Sequence, residues 1–310
     1  MKVINNLKEI TKPYKNSVVT IGNFDGVHKG HQNLLVKVRK KADTINGTAI
    51  AITFEPHPMK VLQKAEYPQQ ITLYDQKVEL LSRANLDILI CIPFTKKIAA
   101  ITAQSFVADL LVDKIGMKVI IVGKDYAFGK NREGNIDFLK SVSKTLGFEV
   151  IVADWKTING IESERISSTK IREIVMEGNV EEAEKLLGRH YQIRGKVVRG
   201  RNRGGKLLGF PTANIHLHDE LCPKTGVYAV TVECAAGNYL GVANIGYSPT
   251  FDDHVFTVEV HILDFNESIY GQRIRVNFVS RLRDEKKFSS ISELSRQILK
   301  DIETTRDMMG

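Results

Sequence analysis

The sequence predicts an α/β protein in two parts, a doubly wound parallel sheet followed by a small antiparallel β-barrel with a terminal helix. Over the first part, continuous apolar runs alternate with amphipathic segments, as strands buried on both faces alternate with their crossover helices. After Gly188, shorter runs follow one another between Gly, Pro, Asn and Asp turns, a pattern typical of antiparallel strands. One long helical pattern then ends the chain.

Length and composition indicate an ordinary globular protein. The 310 residues suit two domains, since domains average roughly 150 residues, and we expect them at 1–187 and 188–310. Hydrophobic residues make up 43% and charged residues 26%, which excludes disordered, collagen-like and disulfide-scaffold proteins. We see neither the roughly 20-residue apolar run of a membrane helix nor a signal-peptide core. Three scattered cysteines fit a reducing compartment, so we expect a cytoplasmic protein.

In the first half, the apolar runs predict strands at 17–22, 48–54, 87–92, 118–123 and 148–152. Helical patterns lie between them at 31–42, 76–84, 103–115 and 136–146. Thr72 and Thr102 are the expected N-caps, and Gly116 and Gly147 the expected helix stops. Ligands of such a sheet bind beyond the carboxyl ends of its strands.

In the second half, strands are predicted at 191–200, 226–234, 238–246, 255–264 and 272–279, and a helix at 290–308. Several strands at short intervals followed by one terminal helix indicate a closed or nearly closed barrel.

The net charge of +8 raises the question of phosphate or nucleic-acid partners. Residues 194–206 hold six basic side chains and no acidic one. This cluster is a solvated loop, a phosphate site or an RNA-binding patch. It lacks the interleaved aromatic side chains on which bases stack.

The string GNFDGVHKGH at residues 22–31 follows a predicted strand and opens a predicted helix. Backbone N–H groups at a helix start bind phosphate, and His28 and His31 can share one face of the first turn. Two imidazoles there could stabilise charge on a reacting phosphoryl group. Two surface histidines, or half of a metal site, remain alternatives.

Three further motifs carry chemistry, each with a plainer alternative. SSTKIR at 167–172 is a phosphate grip or an ordinary N-cap. In ITFEPHP at 52–58, Glu55 and His57 are acid–base or metal-ligating residues, or the segment is a rigid strand exit. In the barrel, PTAN at 211–214 is a cation site or a Pro-led turn, and Glu259 is a general base or one exposed position of an alternating strand.

Together these strings resemble the bacterial bifunctional riboflavin kinase/FAD synthetases. The first half resembles their FMN adenylyltransferase domain, a Rossmann-like HxGH nucleotidyltransferase, and the second half resembles their riboflavin kinase barrel. The matching strings are GNFDGVHKGH, ITFEPHP, VGKDYAFGKNREGN (122–135), SSTKIR, GKLLGFPTAN (205–214), GVYAV (226–230), GVANIGYSPTF (241–251), VEVHILDFNESIYG (258–271) and LRDEKKF (282–288).

The resemblance implies a set of site residues. His28 and His31 would contact ATP phosphates during adenylyl transfer, and Glu259 would take the proton from the riboflavin 5′-hydroxyl. The further implied ATP contacts are Gly22, Asn23, Phe24, Asp25, Ser168, Thr169, Arg172, Lys206, Thr212 and Asn214, of which Thr212 and Asn214 would also hold Mg²⁺. The implied flavin contacts are Phe54, Pro56, Pro58, Asp125, Phe128 and Arg283.

The resemblance implies an enzyme that phosphorylates riboflavin to FMN and adenylylates FMN to FAD, with ATP and Mg²⁺ and without a nucleic-acid or membrane partner. Four positions depart from the family pattern: Tyr126 for Phe, Asn135 for Asp, and Lys206 and Ser248 for Arg. Arg and Lys are not equivalent at a phosphate site, and Ser carries no charge. One alternative is therefore a monofunctional FMN adenylyltransferase with a weakened barrel. The basic cluster at 194–206 gives the other, a basic RNA-binding barrel protein.

Overall fold

A computed structural model describes residues 1–62, 67–154, 165–199, 209–217, 219–248 and 255–310, with the backbone alone described at 247, 248, 255 and 256. The chain divides by its contacts into two units, Met1–Ser168 and Thr169–Gly310. Each unit has its own sheet.

The first unit contains a six-stranded parallel sheet in the order β1-β4-β3-β2-β5-β6. Its strands are β1 Lys2–Ile4, β2 Ser17–Ile21, β3 Ala49–Glu55, β4 Ile88–Pro93, β5 Met117–Gly123 and β6 Glu149–Ala153. All five predicted strands are confirmed. The sequence missed β1, because a three-residue edge strand is too short to show a pattern.

Helices cover both faces of this sheet, as a doubly wound fold requires. They are α1 Lys29–Thr44, α2 Pro58–Leu62, α3 Tyr74–Ser82, α4 Lys96–Ala99, α5 Ala103–Ser105 with its π-helical continuation Phe106–Lys114, and α6 Ile136–Leu146. Neighbouring residues of β5 belong to two hydrophobic cores on opposite faces of the sheet. Ile120 packs with Leu111 and Leu139 in one core, and Ile121 packs with Leu35 and Val38 in the other. The parallel, doubly wound prediction is confirmed.

The predicted helix ends are confirmed with one exception. Thr102 caps α5 by accepting from the Ser105 N–H, and Gly147 ends α6 at a φ of +69°. Gly116, with a φ of +80°, comes after the π-helical stretch and its cap residue Ile115. Thr72 as an N-cap is wrong: Leu73 holds the cap position of α3. The Thr72 hydroxyl instead accepts from the distant Gly26 N–H at 3.0 Å, a contact that local sequence does not encode.

The second unit contains a closed antiparallel barrel in the order β10-β11-β8-β7-β12-β9. Its strands are β7 Tyr191–Val198, β8 Ala213–His216, β9 Gly226–Cys234, β10 Gly237–Ser248, β11 Val255–Ile262 and β12 Arg273–Arg283, followed by α9 Ile291–Met309. The five predicted strands and the terminal helix are confirmed. The short β8 was missed, because its PTAN segment also suits a turn.

Two helices, α7 Ser168–Met176 and α8 Val180–Leu187, join the two sheets along the chain. The contact division falls after Ser168 and so groups α8 with the barrel. On α8 the Glu181 carboxylate accepts from the Ser280 hydroxyl at 2.5 Å and from the Arg281 N–H at 3.2 Å. The predicted domain boundary after residue 187 says that residues 1–187 fold on their own, and this stays a prediction.

Candidate functional sites

The loop after β2 lies where the strand order of the parallel sheet reverses. The chain leaves β2 toward β3 on one side and returns as β5 on the other, and ligands of open sheets bind at such a point. Within the loop, Phe24, Gly26 and Val27 have positive φ values of +48°, +82° and +39°. Phe24 and Val27 accept this rare conformation because their side chains are buried in the core.

The two histidines of the loop are held as a stacked pair at the start of α1. His28 is the N-cap, and its Nδ1 accepts from the His31 backbone N–H at 3.3 Å. A ring nitrogen that accepts carries no proton, so the proton of neutral His28 lies on Nε2. The two rings stack with centroids 3.7 Å apart, and Phe24 meets His31 edge-on at 5.3 Å.

Gly30 leaves space for this pair. A Cβ at position 30 would lie 3.0 Å from both Cε1 and Nδ1 of His28, tighter than most side-chain contacts, so the ring would have to shift by a few tenths of an ångström. The glycine of the HKGH string therefore makes room for the capping imidazole.

Burial and a nearby cation set the charge of the pair. Burial first, and then electrostatic interactions with His28 and Lys77, lower the pKa of His31 well below its usual 6.5, so His31 is neutral at physiological pH. Lys77 of α3 is 1% exposed, and its Nζ lies 3.7 Å from Glu55 Oε2 at the end of β3. Lys77 was not among the predicted site residues; the signal for its burial is the helical spacing of four residues to the buried Leu81.

Asp25 fastens the loop to the segment before α3. Its carboxylate is buried and accepts from the backbone N–H groups of Ile71 at 3.2 Å and of Thr72 at 3.0 Å. Its backbone carbonyl accepts from the Ser168 hydroxyl at 2.8 Å. The first unit therefore brings the HKGH loop and the first residue of α7 together, as two motifs of one predicted site.

The residues predicted to contact flavin in the first unit lie at or after the carboxyl ends of β3 and β5, the strands on either side of β2. Phe54 is half-buried against the Phe94 ring, with centroids 5.5 Å apart. Pro56 follows a cis peptide bond, and Pro58 begins α2. After β5, the exposed Asp125 pairs with Arg165 at 2.9 Å, and Phe128 stacks with Tyr126 at 5.2 Å.

In the barrel, strand register brings two predicted residues together. Glu259 of β11 lies directly opposite Asn214 of β8. Both are half-buried, and directly opposed residues share a face with Cβ atoms about 4.5–5.5 Å apart. Thr212 precedes β8 by one residue. Burial raises the pKa of Glu259 above its usual 4.5, which makes its carboxylate a stronger base.

Arg283 is engaged within the barrel unit. Its Nε donates to Asp301 at 3.0 and 3.1 Å, its Nη2 donates to the same carboxylate at 2.7 Å, and its Nη1 donates to the Asp284 carbonyl at 3.0 Å. Asp301 belongs to α9 and is buried. Arg283 therefore fastens α9 to the end of β12, and its predicted flavin contact stays a prediction.

Of the remaining predicted site residues, the structure describes some and not others. Thr169 is exposed and Arg172 half-buried on α7, in the second unit. Lys206 and the Ser248 side chain lie outside the described residues. Within the described part of the chain, no group of three or more His, Cys, Asp or Glu side chains could hold a metal ion. Across those same residues, no helix is both long and apolar enough to cross a membrane.

The parallel sheet with its HxGH loop and the closed barrel with its Glu259 site each match a known enzyme family. The family model for FAD synthetase matches residues 10–170. The family model for riboflavin kinase matches residues 187–309.

Similar proteins match over the whole chain. Bifunctional riboflavin kinase/FMN adenylyltransferase from Haemophilus influenzae is 39% identical over 99% of this chain and 98% of its own length. The protein of the same name from Escherichia coli K12 is 37% identical over 100% of this chain and 98% of its own length. The chain therefore belongs to the bifunctional riboflavin kinase/FMN adenylyltransferase family.

A solved structure from Streptococcus pneumoniae, described as a macrolide-efflux protein, is also similar. It is 36% identical, has a TM-score of 0.87 and covers 98% of both chains. Its name refers to that protein, and the family of this chain follows from the two family models and the relatives above.

Proposed function

We propose that this chain makes FAD in two steps, phosphorylating riboflavin to FMN in the barrel and adenylylating FMN in the parallel-sheet unit. The observation that carries the proposal is the stacked His28–His31 pair at the start of α1, at the reversal point of the sheet. Two family models, one for each half, support the pairing of activities.

In the adenylyl transfer step, a phosphate oxygen of FMN attacks the α-phosphorus of ATP. The new P–O bond forms FAD, and the bond to the β-phosphate breaks to release pyrophosphate. Negative charge builds on the α-phosphoryl oxygens, and the Nε2–H of His28, the neutral His31 and the first N–H groups of α1 stabilise it. Because these donors are held by the cap and the stack, they need little rearrangement during the reaction.

Other residues of the first site would hold the two substrates. Ser168, Thr169 and Arg172 would bind the ATP phosphates, and the backbone of Gly22, Asn23, Phe24 and Asp25 would frame the nucleotide. The flavin would lie against Phe54, Pro56, Pro58, Asp125 and Phe128, which lie at or after the carboxyl ends of the strands on either side of β2.

In the kinase step, Glu259 takes the proton from the riboflavin 5′-hydroxyl while the hydroxyl oxygen attacks the γ-phosphorus of ATP and ADP leaves. The raised pKa of Glu259 brings the base closer to neutral pH, where general-base catalysis is efficient. The hydroxyl of Thr212 and the amide oxygen of Asn214 are donors that suit a hard cation, and they would hold Mg²⁺. When bound, the cation would neutralise phosphate charge. Lys206 would contact the ATP phosphates.

We also propose a cytoplasmic location. Cys91, Cys222 and Cys234 are all free thiols in the structure, as expected of a chain kept in a reducing compartment.

Product analysis tests the two activities together. The full chain is incubated with riboflavin, ATP and Mg²⁺, and separately with FMN, ATP and Mg²⁺, and the flavins are separated by chromatography. We expect FAD in both reactions. FAD from FMN but no product from riboflavin would show the monofunctional alternative. No product in either reaction, together with steeply salt-dependent RNA binding, would favour the RNA-binding alternative.

A further inference from the structure

Glu259 of β11 has a polar neighbour on each side: Asn214 on β8 and a second one on β10. In the pairing of β10 with β11, Asn244 lies directly across from Glu259. Asn214, Glu259 and Asn244 therefore form a row across three adjacent strands, and direct cross-strand neighbours have side chains on the same face. All three are half-buried. We call Asn214, Glu259 and Asn244 the polar row.

The polar row lies on the outer face of the barrel. The residues that alternate with it along the strands, Ala243, Ile245, Val258 and Val260, are buried apolar side chains of the barrel core. Since neighbouring residues of a strand point to opposite faces, Glu259 and its two asparagine neighbours point outward. A substrate can approach Glu259 from that side.

The outer face around Glu259 also carries a second carboxylate. Gly246 follows Asn244 at the next outward position of β10, and the Glu285 carboxylate occupies the space that a Cβ at 246 would take. On Glu259's own strand, the Thr257 hydroxyl donates to the Gly246 carbonyl at 3.3 Å, and His261 Nδ1 bonds the Pro211 carbonyl at 2.8 Å. A catalytic carboxylate is held in one orientation by the packing and hydrogen bonds of its neighbours.

We propose that Asn244 is a positioning residue for riboflavin phosphorylation. When riboflavin is bound, the side-chain NH₂ of Asn244 would donate across the strand pair to one oxygen of the Glu259 carboxylate and leave the other oxygen directed at the substrate hydroxyl. Asparagine suits this position, because its amide supplies a donor without adding charge beside Glu285. The proposal rests on the proposed role of Glu259, with Asn214 serving the cation on the other side of the row.

The test measures both reactions of the full chain in single variants. In Asn244→Ala we expect kcat for riboflavin phosphorylation to fall about 10–100-fold, the usual loss for a group that orients another, with KM for riboflavin unchanged. Asn244→Asp should lose more, because its carboxylate repels Glu259, and Asn244→Ser should lose less, because its hydroxyl can donate. Adenylylation of added FMN should stay at the parent rate and shows that the variants are folded.

Asn238→Asp is the matched control. It makes the same substitution on the same strand, also directly opposite a glutamate, Glu233, but away from the polar row. We expect both reactions of this variant to match the parent.

A double-mutant cycle separates positioning from structural support. If Asn244 acts through Glu259, Asn244→Ala should cost nothing further in the Glu259→Gln background. Parent-like kcat in Asn244→Ala, or the same loss in both backgrounds, would overturn the proposal. Parent-like phosphorylation in Glu259→Gln would overturn the proposed role of Glu259 itself, and the proposal for Asn244 with it.

Discussion

The two candidate sites are assembled in different ways. In the parallel-sheet unit, one helical turn sets the geometry of His28 and His31, because the cap, the stack and Gly30 all belong to the same short string. In the barrel, Asn214 and Glu259 come from strands far apart in sequence and meet only through register. A local motif therefore identifies the first site, whereas only the folded barrel assembles the second.

This difference affects how each site tolerates change. A one-residue slip between β8 and β11 would turn Glu259 into the barrel core and bring Val258 or Val260 to the outer face. A change of strand register would not alter the stacking of His28 and His31, but that stacking depends on single positions such as Gly30. Variants of each site test this contrast.

The largest effect is expected from Glu259→Gln, which keeps the shape of the side chain but removes the proton acceptor. Riboflavin phosphorylation should fall by about 10²–10⁴, while adenylylation of FMN stays at the parent rate. Initial rates of FMN and FAD formation in the full chain check this. Glu267→Gln, the same change at an exposed position, should leave both rates unchanged. A fully active Glu259→Gln protein would remove Glu259 from the mechanism.

The next largest effect is expected from His28→Asn. Asparagine can still cap α1, but it lacks the imidazole Nε2–H, so FAD formation from FMN should fall by about 10²–10³. FMN formation from riboflavin should be unaffected. His28→Ala removes the cap as well and should also be less stable, by about 1 kcal/mol.

Thermal unfolding of the two His28 variants separates the cap from the chemistry. His190→Ala is the control, because it removes a half-buried imidazole that pairs with Glu184 and has no proposed role. FAD formation at the parent rate in His28→Asn would contradict the assignment.

Sequence alone predicts most of the fold and the local parts of the sites. Long apolar runs predicted every strand except β1 and β8, which are too short to carry a pattern. The π-helical geometry of Phe106–Lys114 has no sequence signal that separates it from an α-helix.

Contacts between distant residues were not predictable. Thr72 has the chemistry of an N-cap, but its hydroxyl accepts from the Gly26 N–H and its own N–H donates to the Asp25 carboxylate. The positions of Gly26 and Asp25 depend on the folded loop. Lys77 was missed because a lysine is normally exposed, and only the apolar helical face around it indicates burial. Arg283 was predicted from its motif, while its pairing with Asp301 depends on where α9 packs.

A stability effect is expected where α9 meets the barrel. Asp301→Ala leaves the Arg283 guanidinium without its carboxylate, at a pair whose side chains are only 16% and 6% exposed. Removing one partner of such a buried pair costs about 3–5 kcal/mol.

The matched control is the pair of Arg306 and Asp264, which also joins α9 to the barrel but is 50% and 72% exposed. Asp264→Ala should cost at most about 1 kcal/mol. Urea titrations with riboflavin phosphorylation as the probe measure both variants. Equal losses in the two would mean that Arg283 does not fasten the helix.

The smallest effect is expected from cutting the chain between its units. A fragment of residues 1–187 should convert FMN to FAD at the rate of the full chain, because it keeps the histidine loop, Ser168, Thr169 and Arg172. In this fragment α8 loses the barrel that buries its apolar residues Val180, Ala183, Leu186 and Leu187. A fragment of residues 1–176, which ends with α7, should therefore be equally active and more soluble.

The third fragment, residues 1–168, matches the contact division of the chain but lacks Thr169 and Arg172. If these side chains grip the ATP phosphates from α7, this fragment should fold and yet make FAD far more slowly than residues 1–176, with a raised KM for ATP. Circular dichroism shows whether each fragment is folded, and chromatography of the flavins gives the rate.

A folded but inactive 1–187 fragment beside an active full chain would mean that adenylyl transfer needs the barrel. Equal activity in 1–168 and 1–176 would instead remove α7 from the ATP site, and the histidine loop with Ser168 would then be sufficient for the first half of the molecule.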